Sequence, residues 1–218
     1  MITGSIQVPR TARFAQIGEA TAATNEVWVV CHGYGQLAKY FLRNFTSVAA
    51  PNRVVVAPEA LSKFYLNGFS GRVGASWMTK EDRLDEIADY CRYLELLLEQ
   101  ILEKCAENAT VNVLGFSQGA ATVCRWLAGS RYRCHKLVLW TGAFPPDVDY
   151  SVVAGVLSRA KLVYVHGNQD ALIDEARLQE NLQLLQEIGL QPKLLRFEGK
   201  HELNKEVLEQ VFSSFSHD

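Results

Sequence analysis

The segment Gly115-Phe116-Ser117-Gln118-Gly119 sets a serine between small residues. It follows the apolar run VNVLG at 111–115 and opens a helical pattern over 118–128. A strand turning sharply into a helix around a serine is the setting of a nucleophile elbow. The turn tolerates only small flanks, which Gly115 and Gly119 supply and Ala120 and Ala121 continue. It would hold the Ser117 hydroxyl out at the C-terminal end of a sheet, where the helix N-terminus favours developing negative charge. The bland alternative is a serine that merely N-caps the helix.

A serine hydroxyl needs a base to become a nucleophile. His201, in FEGKHELN between the last strand pattern and the last helix pattern, fits the hydrolase chain order of serine, acid, histidine. His32 comes before the serine, His166 ends a strand pattern, His135 lies in the basic turn RYRCHK, and His217 lies in the tail. The loop HGNQDALIDE offers two acids. Asp170, nearer the strand end, is expected to fix the tautomer of His201 and stabilise its imidazolium. Asp174 stands where a helix begins and reads as its N-cap. Two backbone donors complete the set: the N–H of Gln118 and, from the loop His32-Gly33-Tyr34-Gly35, the N–H of Tyr34.

These residues need a scaffold that brings loops from distant parts of the chain to one edge. Short β-branched apolar runs recur at 27–31, 54–57, 111–115, 136–140, 161–165 and 193–197. Runs apolar on both faces suit strands of a parallel sheet. Helical patterns separate them at 37–49, 81–105, 118–128, 174–188 and 203–215. The alternation predicts an α/β fold with a mostly parallel central sheet and helices on both faces. No repeat, low-complexity run or linker divides the 218 residues, so one domain over 1–218 is expected.

Composition closes off other classes. Hydrophobic residues make up 48% and charged residues 21%, a balance that excludes disorder. A net charge of −2 gives no footprint for nucleic acid. Cys31, Cys91, Cys105, Cys124 and Cys134 form no CxxC pair and read as reduced thiols of a cytoplasmic protein. MITGSIQVPR lacks the pattern of a signal peptide, and no stretch suits a bilayer span. No metal cluster, phosphate-binding loop or dinucleotide fingerprint is present, so neither a metal nor another cofactor is expected.

With GFSQG, HGYGQ, HGNQD and GKH in this order, the chain resembles the phospholipase/carboxylesterase family. This is the nearly lidless branch of the α/β-hydrolases that includes acyl-protein thioesterases and bacterial carboxylesterases. The likeness runs from about Val27 to the C-terminus. It implies an α/β-hydrolase fold without a large cap domain, a triad of Ser117, Asp170 and His201, and an oxyanion hole from the amides of Tyr34 and Gln118. Two segments depart from the family pattern. The oxyanion loop carries Tyr34 and Gln36 where HGLGD is common, and SKFYLNGFSGRVGASWMTKEDR replaces a WFD-like flap.

Phe64, Tyr65, Leu66, Phe69, Trp77, Met78 and Phe144 fall in expected loops. They read either as walls of an acyl groove or as a satellite core under a long loop. Arg72 reads as a surface cation or as a contact for an anionic substrate group. The leading expectation is hydrolysis of small carboxylic esters, and by extension thioesters, of short to medium acyl chains. The alternatives are a long-chain acyl-protein thioesterase or lysophospholipase, an acyltransferase on the same triad, and a non-catalytic binding protein of the same fold.

Overall fold

The computed structural model describes residues 1–213. Seven strands form one sheet in the order β1-β3-β2-β6-β7-β8-β9. They are β1 (Phe14–Ile17), β2 (Glu26–Cys31), β3 (Arg53–Pro58), β6 (Thr110–Phe116), β7 (Cys134–Trp140), β8 (Lys161–Gly167) and β9 (Lys193–Phe197). All neighbours run parallel except β1, which pairs antiparallel with β3. A separate hairpin joins β4 (Ser62–Tyr65) to β5 (Val73–Ser76).

All six runs form strands; five are buried on both faces, while β9, at the sheet edge, buries only Phe197. Residues 27–31 are buried throughout, as are 54–57 and 111–116. One face packs Val29, Val56, Val113 and Leu139 against α2 (Arg83–Leu102), α3 (Gln118–Gly129), α4 (Tyr150–Leu157) and α5 (Glu175–Glu187). The other packs Trp28, Val55, Leu114 and Trp140 against α1 (Ala38–Phe41), a 3₁₀ helix (Leu42–Val48) and α6 (Lys205–Ser213). Alternate residues of one strand thus serve two cores. No cap domain is inserted among the described residues, and none of their helices is long and apolar enough to cross a membrane.

The structure departs from the sequence reading in four places. β1, β4 and β5 are additional strands of four residues each; β1 and β4 merely alternate in exposure, too short a signal to stand out. Phe64 and Tyr65 therefore sit on a strand and not in a loop. The pattern at 37–49 divides into α1 and the 3₁₀ helix. There Asn44 Nδ2 donates to the Phe41 carbonyl at 2.8 Å and Thr46 Oγ1 to the Arg43 carbonyl at 3.1 Å. Such bonds to the carbonyl three residues back compete with a regular α-helical ladder. Finally, α4 is a helix the periodicity did not disclose. Its SVVAGV core is β-branched and holds a glycine, both poor helix signals, yet Asp149 caps it by accepting from the amides of Ser151 and Val152. The helix pattern at 203–215 is described as far as Ser213; Phe215 and His217 lie outside the described residues.

Candidate active site

β6 ends at Phe116 and α3 begins at Gln118, leaving Ser117 alone to reverse the chain. Its backbone sits at φ 54°, ψ −118°, a conformation rarely adopted by a residue with a side chain. The strain is held by close packing. A Cβ on Gly119 would lie 2.2 Å from the Cys31 carbonyl oxygen, so α3 approaches the end of β2 as only glycine allows. The Ser117 N–H donates to the Trp140 carbonyl at 2.9 Å. The Ser117 side chain makes no capping bond to α3, so its hydroxyl is not engaged as an N-cap.

Asp170 and His201 come from the loops after β8 and β9, with β7 standing between these strands and β6. Gly167 lets those loops meet: a Cβ there would lie 2.6 Å from the carbonyl oxygens of both Gly199 and Lys200. The Gln169 amide also donates to the Gly199 carbonyl at 2.9 Å. Asp170 Oδ2 lies 2.7 Å from His201 Nδ1, and Oδ1 accepts from the amides of Leu172 at 2.8 Å and Ile173 at 3.0 Å. The Asp170 side chain is wholly buried. A carboxylate occupied by two amides and an imidazole acts as acceptor throughout, which places the His201 proton on Nδ1. Nε2 is then a bare acceptor, and it is buried with no hydrogen-bond partner among the described residues. The His201 ring rests on Phe116, the residue before Ser117, with ring centroids 5.1 Å apart. Asp174 stands apart from this cluster and caps α5, accepting from the Arg177 amide at 2.9 Å.

The loop after β2 passes directly over the elbow. A Cβ on Gly33 would sit 3.1 Å from that of Ser117. Within this loop Gly33 N–H donates to Gln36 Oε1, Gly35 N–H to the Ala75 carbonyl, and Gln36 N–H to the Gly33 carbonyl. The Tyr34 amide has no such partner among the described residues. The Gln118 amide is likewise one of the unpaired donors of a helix start. The amides of Tyr34 and Gln118 are thus both without a partner among the described residues.

His32, which ends β2's extension, is wholly buried. Its Nε2 accepts from the Ala60 amide at 3.1 Å and its Nδ1 faces the Gly33 carbonyl at 2.8 Å. An amide donor at Nε2 requires the neutral ring protonated at Nδ1, and burial agrees, pulling its pKa down to about 4. His32 is a structural brace of the loop. His166 is buried as well, its pKa lowered by desolvation.

The aromatic residues divide. Trp77 and Phe144 are core, 1% and 3% exposed. Met78 is half-buried and packs on the same core. Phe64 is half-buried beneath the Tyr34 ring, centroids 5.1 Å apart. Tyr65 is 49% exposed, and Phe69, at the hairpin turn, is 98% exposed and touches no wall. Sequence reasoning missed the side chain of Gln118. Its Oε1 accepts from the Trp77 amide at 3.1 Å, and its Nε2 donates to the Met78 carbonyl at 2.9 Å and to Ser76 Oγ at 3.2 Å. Nothing in residues 41 positions apart signals that pairing.

A strained serine elbow at the C-terminal edge of a mostly parallel sheet defines an α/β-hydrolase. The model of the phospholipase/carboxylesterase family matches residues 12–217, and the chain belongs to that family as a carboxylesterase-type hydrolase. No curated protein matches the sequence significantly. Among solved structures it is similar to acyl-protein thioesterase 2 of Zea mays, at TM-score 0.69 and 18% identity over 94% of this chain and 98% of that one. It is also similar to the Bacillus cereus carboxylesterase, at TM-score 0.67 and 13% identity over 93% and 92%. SOBER1 of Arabidopsis thaliana gives TM-score 0.65 and 19% identity over 86% and 96%. Identities this low speak for the fold alone.

Proposed function

We propose that the chain hydrolyses carboxylic esters and thioesters of short to medium acyl chains through an acyl-enzyme on Ser117. The observation that carries this reading is the part-buried Asp170–His201 bond of 2.7 Å, with the His201 ring on Phe116, the residue before Ser117, and its Nε2 without a partner. Nε2 takes the Ser117 proton as Oγ bonds to the substrate carbonyl carbon. The carbonyl oxygen becomes an oxyanion, held by the Tyr34 and Gln118 amides. As the carbonyl re-forms, the bond to the alcohol or thiol breaks and the leaving atom takes the proton from His201. Water then repeats the sequence, giving its proton to His201 while its oxygen attacks the acyl carbon, and Ser117 leaves reprotonated.

The chain-length preference rests on the packed rings of Tyr34 and Phe64, centroids 5.1 Å apart and tilted by 30°, beside the oxyanion loop. Each methylene that finds apolar surface adds about 0.8 kcal/mol, and the gain stops where the acyl chain meets that pair. A second reading, a long-chain thioesterase or lysophospholipase, is favoured by a different observation. An open cavity of about 620 Å³, lined in part by Gly35, Gln36, Leu37, Tyr40 and Val73, adjoins the oxyanion loop. p-Nitrophenyl esters from two to sixteen carbons, with an acyl-thioester series beside them, decide between the two. A kcat/KM that peaks at short or medium chains supports the first; one that climbs to sixteen carbons replaces it with the second.

A further inference from the structure

Trp77 is almost wholly enclosed, yet its two N–H groups reach the two halves of the oxyanion hole. Its indole N–H donates to the His32 carbonyl at 2.8 Å, at the root of the loop that presents the Tyr34 amide. Its backbone N–H donates to Oε1 of Gln118, the residue that presents the other amide, at 3.1 Å. The indole also packs on the His32 ring, centroids 5.1 Å apart, and edge-on against Tyr90 at 6.0 Å. One residue therefore spans the two donors.

The loop needs such a brace. Gly33 and Gly35 flank Tyr34, and Gly35 has φ +75°, so the intervening peptide has little stiffness of its own. Its outer side is tied to β5, where Gly35 N–H donates to the Ala75 carbonyl at 2.9 Å and Ala75 N–H to the Gln36 carbonyl at 3.2 Å. Its root is held by Trp77 and by the ring of His32. An oxyanion donor works only about 2.7–3.1 Å from where the charge develops. A small drift of one amide relative to the other is therefore felt in the transition state and not in the bound ester.

We infer that Trp77 is a positioning residue that sets the spacing of the Tyr34 and Gln118 amides. The inference rests on the oxyanion assignment made above. Trp77 touches no reacting atom in this scheme; it acts through the His32 carbonyl and the Gln118 carboxamide. Gln118 accordingly has two parts, a backbone amide that meets the oxyanion and a side chain that carries the brace.

Trp77→Phe keeps an aromatic ring against Tyr90 and removes the indole donor. Rates are taken per active site, counted by fluorophosphonate titration. On a short ester, kcat and kcat/KM should fall together on the order of 10-fold with KM little changed, a fraction of the loss expected for removing a whole donor. The inhibition constant of a trifluoromethyl ketone, whose serine adduct carries an oxyanion, should rise by a similar factor. The pH profile of kcat/KM should keep its shape, since Asp170 and His201 are untouched. Gln118→Met, which keeps the backbone amide, should give the same pattern, and it decides the matter alone if Trp77→Phe does not fold. Unchanged kcat per titrated site would overturn the inference, even with a lowered Tm. So would a raised KM at constant kcat, or a kcat loss with an unaltered ketone constant. If the wild type gives no adduct on Ser117, the function proposed above falls first, an outcome separate from these.

Discussion

On one flank of Ser117, the loops after β8 and β9 approach so closely that a single added carbon on Gly167 would overlap two carbonyl groups. On the other flank, the β4–β5 hairpin leaves Tyr65 49% and Phe69 98% exposed. The first flank holds groups whose chemistry demands fixed distances: a wholly buried carboxylate, an imidazole with one tautomer, a serine in a strained turn. The second holds apolar surface, which attracts an acyl chain without direction. Substitutions on the first flank should thus act on rate by orders of magnitude, and on the second by modest shifts in preference.

The largest effect should come from Ser117→Ala. In the proposed scheme Ser117 belongs to a triad whose members act as a unit, so kcat should fall on the order of 10⁶-fold while the fold is retained, as read by ester turnover beside circular dichroism. Next is Asp170→Asn, which leaves His201 free to take the wrong tautomer and should lower kcat on the order of 10⁴-fold. Asp174→Asn should leave turnover near the wild-type value, since Asn caps α5 about as well as Asp. A reversal of that pair would move the acid to the other side of the loop.

A third test falls on the junction of the two flanks, at His32. Its pKa in the fold, about 4, lies below the usual 6.5 because of burial. As pH falls through about 6.5 the unfolded chain takes up a proton that the folded protein refuses. Stability should therefore be lost between pH 6.5 and 4, by on the order of 3 kcal/mol from this group. Urea unfolding across that range should show the slope, and His32→Asn should flatten it.

The smallest effect belongs to the open flank. Tyr34→Ala removes the ring packed against Phe64 and should move the peak of the acyl-length profile to longer chains. Turnover of the shortest esters should stay within about threefold, because the donor proposed at this position is the backbone amide. A large rate loss on short esters would erase the distinction between the flanks.

The same contrast governs what the sequence made legible. GFSQG could be read because strain and close packing restrict each position to a few residue types. Asp170 and His201 could be singled out because each follows a strand pattern and their order after Ser117 matches the serine, acid, histidine order. Tyr34 is singled out by the glycines on each side of it, and its amide has no partner among the described residues. The hairpin resisted: β4 alternates over only four residues, and the fates of Trp77, Phe144 and Phe69 depend on what covers them. Trp77 is enclosed by His32 and Tyr90, while Phe69 has nothing above it. Hydrophobicity alone does not separate those two outcomes. The Gln118–Trp77 bond joins residues whose types carry no pairing signal.

The central claim is that Ser117 is the nucleophile, and one measurement addresses it directly. Folded protein treated with a fluorophosphonate should gain the mass of one phosphonyl group by intact mass spectrometry. Peptide mapping should place that group on Ser117, with loss of ester turnover in proportion to labelling and no adduct on Ser117→Ala. An adduct on another residue, or none in protein shown to be folded, would contradict the account.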